Sequence, residues 1–109
     1  ALESAMREVR VRVELHQGAP WQWPMAETAD HWIAMGIDAD LNVAFGTATR
    51  NVIDFLNRRA GLEPMDAYSL ASIAVNFRVT QFVNKTRGVH ALIPKSIFAI
   101  DRRTSISIT

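Results

Sequence analysis

The chain contains no cysteine, which excludes disulfides, thiolate metal sites and a cysteine nucleophile from its 109 residues and makes a reducing cytoplasm the expected setting. It also lacks any apolar run near the ~20 residues that span a bilayer. Its first residues have no basic region leading into a hydrophobic segment, so a soluble chain without a membrane partner is expected. Charge of one sign is missing too: the formal net charge is +1, with Lys, Arg, Asp and Glu interleaved, and no broad electrostatic footprint for nucleic acid results. Gly-rich phosphate loops, zinc-knuckle spacings and paired H-E-x-x-H histidines are all absent from the sequence.

What remains is a composition that builds a core. With 49% hydrophobic and 21% charged residues in 109 positions, the chain suits one folded domain and is too short for two. From Met6 to Leu15, Val9, Val11, Val13 and Leu15 alternate with Glu8, Arg10, Arg12 and Glu14, the period of a half-buried strand with a solvated charged face. Gly18 and Pro20 break this pattern, and a non-helical stretch with Trp21, Trp23 and Pro24 follows. His31 to Ile37 supplies the apolar bulk of a second strand.

Asp38 or Asp40 can then cap a helix whose apolar stripe is Leu41, Ala44, Phe45, Ala48, Val52, Phe55 and Leu56. Gly61 stops it, and Pro64 opens a second helix that ends near Val75 and carries the small residues Ala67, Ala71 and Ala74. Phe77, Val79, Gln81 and Val83 share one side of a following strand. A turn at Asn84 to Gly88 returns the chain as a hairpin strand, Val89 to Ile93. The expected fold class is α+β, a mainly antiparallel sheet packed against two helices. Residues 1–98 form the domain in this reading, and 99–109 form a tail.

Few residues invite a chemical reading. His16, His31 and His90 lie far apart, and the most suggestive is His31, which sits with Glu27, Thr28 and Asp30 in MAETADHW at a strand entrance. Glu3 is a carboxylate beside Ser4, but no His or Lys nearby could activate that serine. Lys95 after Pro94 is expected to be solvated, and the three tryptophans are expected to fill a core or a subunit contact.

The segment from His31 to Phe98 resembles the end of acetamidase/formamidase proteins. The family's "IDFL" helix end matches Ile53 to Leu56, and its "DAY-L-S" helix matches Asp66 to Ser72. Its "R-TQ-V" strand matches Arg78 to Val83, and its final "G-HA-LPK-IF" matches Gly88 to Phe98. ALESAM, VRVRVEL and WPMAET resemble the segment after the family's acidic "GDGE" motif, so the likeness runs from Ala1 to about Phe98.

The resemblance implies the C-terminal portion of a larger β-rich amidase fold that hydrolyses formamide- or acetamide-like substrates to carboxylate and ammonia. It also implies a divalent metal such as zinc, held mainly by a longer N-terminal partner chain, because the family's His-rich, Gly-Pro-rich and acidic motifs are not in this sequence. The metal ligands in this chain are therefore unknown. Glu3 is the catalytic candidate, and Thr28 and His31 are the substrate-binding candidates. The alternative is a noncatalytic structural or oligomerisation module of the same origin. A strand beginning almost at Ala1, as in a cut piece, would leave sheet edges for another chain to cover. The apolar helices can pack on a second copy, so the assembled enzyme is expected to be a homo-oligomer.

Overall fold

The computed structural model describes residues 4–18 and 21–98. Four strands, β1 (Met25–Glu27), β2 (His31–Asp38), β3 (Asn76–Gln81) and β4 (Arg87–Pro94), form one antiparallel sheet in the order β1-β2-β4-β3. Two helices, α1 (Leu41–Ala60) and α2 (Pro64–Ala74), connect β2 to β3, and a short 3-10 turn, Lys95–Phe98, follows β4. The fold is α+β, as expected from the sequence. The tail 99–109 lies outside the described residues.

Local chemistry explains the helix boundaries. The Asp40 carboxylate accepts from the amides of Asn42 (2.7 Å) and Val43 (3.2 Å), two donors that the first helical turn cannot satisfy itself. At the other end Gly61 takes φ 69°, its amide donates to Asn57 O, and Leu62 N donates to Leu56 O. That left-handed residue turns the chain while giving the Asn57 and Leu56 carbonyls a donor each. Pro64 begins α2, where its missing amide proton costs no hydrogen bond.

Alternation along β2 and β4 decides which side of the sheet the helices cover. Trp32, Ala34 and Gly36 of β2 stand opposite Ile93, Ala91 and Val89 of β4, and all six are buried. Phe55, Leu56 and Val52 of α1, with Ala67 and Ala71 of α2, close the core over them. Phe55 lies between Trp21 and Trp32 at ring-centroid distances of 5.4 and 5.2 Å. This puts two of the three tryptophans in or against the core.

The opposite, outer face carries Ile33, Met35, Leu92 and His90, which are half-buried, together with exposed Ile37 and Arg78. No described helix is long and apolar enough to cross a membrane.

Three departures from the sequence reading have physical causes. Met6–Leu15 forms no strand: a strand exists only as part of a ladder, and no described neighbour pairs with this arm. Its Val9, Val11, Val13 and Leu15 are 65–88% exposed. The first strand is instead Met25–Glu27, three residues that pair with Trp32, Ile33 and Ala34. In β3, a bulge between Val79 and Gln81 breaks the expected alternation, because Val79 opposes Val89 while Gln81 opposes Gly88, leaving Thr80 extra. That shifted register leads to a turn with Asn84 and Lys85 at φ 68° and 71°.

Candidate functional site

Every chemically suggestive residue near His31 gathers at one corner, where the β1–β2 turn meets the end of β4. Thr28 N donates to His31 O (2.9 Å) while His31 N donates to the Thr28 hydroxyl (3.1 Å), so the hydroxyl closes the turn between the strands. Lys95 N donates to Asp30 O (2.9 Å) and ties the loop to the chain leaving β4. The Lys95 ammonium pairs with Glu27 (2.5 Å) and lies 5.6 Å from the Trp32 ring centroid. Its side chain is only 28% exposed, so the lysine expected in bulk solvent is held over an aromatic face with a carboxylate partner. Glu27 and Lys95 stand 68 residues apart in sequence, and no local pattern announces their meeting.

Chemically, this corner offers an ammonium–carboxylate pair, a hydroxyl already used as an acceptor, and the half-buried His31 imidazole on the outer sheet face opposite Pro94. Thr28 and His31 are thus brought together as the sequence suggested, while Glu3 lies outside the described residues.

The other histidines lie elsewhere. His90 shares a hydrogen bond with the Thr80 hydroxyl and sits between Met35 and Arg78 across the outer face. His16 lies 3.4 Å from Glu14 on the arm. Among the described residues no group of three His, Cys, Asp or Glu could hold a metal ion, so these residues do not fit the divalent metal that the sequence resemblance implies.

A polar cavity of about 80 Å³ lies between α1 and the segment entering β1, lined by Trp21, Trp23, Met25, Asn51, Asp54 and Arg58. It is braced from within. The Arg58 guanidinium Nε donates to both Asp54 carboxylate oxygens, and the Asn51 amide donates to Met35 O (2.7 Å). The Trp32 indole Nε1 is buried without a hydrogen-bond partner among the described groups.

With this geometry in view, the fold defines a class: an antiparallel four-stranded sheet with two helices on one face, similar to part of several solved amidase structures. An acetamidase from Yersinia enterocolitica matches 71% of this chain at 30% identity and TM-score 0.68, with 23% of its own length covered. An acetamidase from Bacillus halodurans matches 71% at 27% identity and TM-score 0.66, with 26% of its length covered. A predicted acetamidase/formamidase from Thermoanaerobacter tengcongensis, at 19% identity and TM-score 0.70 over 77% of this chain, shares the fold. The chain thus spans 23–28% of the length of the solved structures it matches. A scan against protein-family models gives no match, and neither does a search among curated proteins.

Proposed function

We propose that this chain is the C-terminal portion, or a small subunit, of an amide hydrolase that converts formamide- or acetamide-like substrates to carboxylate and ammonia. One observation carries the reading: 71% of the chain matches acetamidase structures at 27–30% identity. A fold by itself does not define chemistry, but identity at that level in two named acetamidases raises the prior for the same reaction class.

The reaction needs a polarised amide carbonyl and an activated water. A longer N-terminal partner chain would supply most of that site, including the ligands of a divalent metal such as zinc. From this chain, Glu3 is the candidate catalytic carboxylate, and Thr28 and His31 are the candidate substrate contacts at the turn corner. The assembled enzyme would be a cytoplasmic homo-oligomer.

A second reading, a noncatalytic module, is favoured by one specific observation: the Thr28 hydroxyl and the Lys95 ammonium at this corner are both engaged in structural contacts. Ammonia release from formamide and acetamide separates the two. The chain bound to a longer amidase chain, its presence verified by intact mass, is expected to release ammonia, and the chain alone is not. No release from the complex eliminates the enzymatic reading, and turnover by the isolated chain eliminates the shared site.

A further inference from the structure

The ladder between β1 and β2 runs out at a proline. Thr28 N donates to His31 O, so the hydrogen-bonded pairs alternate from there through Ala26 and Ile33 to position 24 opposite Met35. Position 24 is Pro24, which has no amide proton to give. The Asn51 side chain of α1 supplies the donor instead, its Nδ2 reaching Met35 O at 2.7 Å. With the nitrogen committed to the sheet, the Asn51 Oδ1 is left as an acceptor on the wall of the cavity between α1 and the segment entering β1.

Asp54 and Arg58 follow Asn51 at helical spacing and line the same cavity. Arg58 donates to both Asp54 oxygens through Nε alone, at 2.9 and 3.0 Å. Its two terminal nitrogens therefore have no hydrogen-bond partner among the described residues. The cavity presents guanidinium donors beside carboxylate and amide acceptors, between the half-buried rings of Trp21 and Trp23.

We propose that this cavity binds a small primary amide. The terminal N–H groups of Arg58 donate to the ligand's carbonyl oxygen, and its NH2 group donates to Asn51 Oδ1 and the Asp54 carboxylate, while the planar group lies against the indole rings. Charge selects a neutral ligand. An anion would meet Asp54, and a cation would meet Arg58 together with Arg59, whose guanidinium lies 5.4 Å from the Trp21 ring centroid. A volume of about 80 Å³ holds several water molecules or one such ligand in their place. The donors and acceptors alone select this ligand, so binding stands or falls apart from any hydrolysis.

Acetamide titrated into the full chain, followed by proton–nitrogen correlation spectra, is the test. The indole signals of Trp21 and Trp23 should shift and saturate, with a midpoint in the millimolar range expected for so small a ligand. N,N-dimethylacetamide, which has no N–H to donate, should bind about tenfold more weakly, as should acetate and methylammonium. Arg58→Met and Asp54→Leu alter side chains that are 50% and 46% exposed, so both variants should keep the native spectrum and each should weaken acetamide binding about tenfold. Asn51→Leu is made together with Pro24→Ala, because the restored backbone amide can then donate to Met35 O. That double variant should keep native signal dispersion and bind acetamide about tenfold more weakly. Shifts that never saturate overturn the proposal, as does equal binding of N,N-dimethylacetamide, or an unchanged midpoint in the Arg58 and Asp54 variants.

Discussion

Gly36 of β2 and Ala44 of α1 meet backbone to backbone: a β-carbon added at Gly36 would lie 2.1 Å from the Ala44 carbonyl oxygen and 2.5 Å from Ala48 N. No side chain stands between strand and helix there, so no rotamer change can make room. Gly36→Ala should therefore push α1 off the sheet and lower stability by about 3 kcal/mol, the upper part of the range for overpacking. Urea denaturation would show this as a lower midpoint with an unchanged slope. An unchanged midpoint would mean that helix and strand are not in this contact.

Phe55 joins the two tryptophans nearest the core, and its side chain is fully buried. Replacing it with alanine should cost about 3–5 kcal/mol, a large part of the stability of a domain this size. Near-ultraviolet circular dichroism should lose its tryptophan bands in the same variant, because Trp21 and Trp32 then lack their common packing partner.

Asp40 supplies two hydrogen bonds to the start of α1. Asp40→Ala should lower stability by about 1 kcal/mol, while Asp40→Asn, which keeps the acceptor, should stay within a few tenths. Thermal melts of the two variants decide the matter, and equal losses would rule out capping as the cause.

Lys85 holds φ 71° without being glycine. Side chains other than glycine and asparagine are disfavoured there, so Lys85→Gly should raise stability by about 1 kcal/mol through relief at the turn. Chemical denaturation provides the check, with a fall in midpoint as the contrary result.

At the candidate site, Thr28 and His31 should separate by readout. Thr28→Val removes the acceptor for the His31 amide and should cost about 1 kcal/mol in a thermal melt. His31→Gln, measured in the assembled hydrolase, should raise KM about tenfold, which corresponds to ~1.4 kcal/mol of substrate binding. If KM stays constant in the His31 variant, the imidazole does not touch substrate.

Much of the fold could be read in the residues themselves, because the signals were local. Asp40, Gly61 and Pro64 mark helix ends through backbone chemistry confined to a few positions, and the structure uses all three in those roles. The apolar stripe of α1 was legible for the same reason. The arm misled because period-two alternation shows what a segment could pair with, not whether a partner strand is present. β1 escaped notice since three residues, Met25 to Glu27, carry too short a pattern to register. At the site, the cluster of Thr28 and His31 was visible in eight consecutive residues, whereas the Lys95–Glu27 pair depends on the return of β4 and has no sequence signal.

The central ladder of the sheet has a kinetic meaning. β2 and β4 are adjacent, yet residues 31–38 must wait for residues 87–94, with both helices made in between. Until then β2 has only the three pairs of β1, too few for a lasting hairpin. Closing that long loop comes before the reward of Val89, Ala91 and Ile93 entering the core, which places the barrier to folding late. During synthesis the segment from β1 to the end of β3 would remain unsettled, and this part of the fold would form as a single event once β4 emerges.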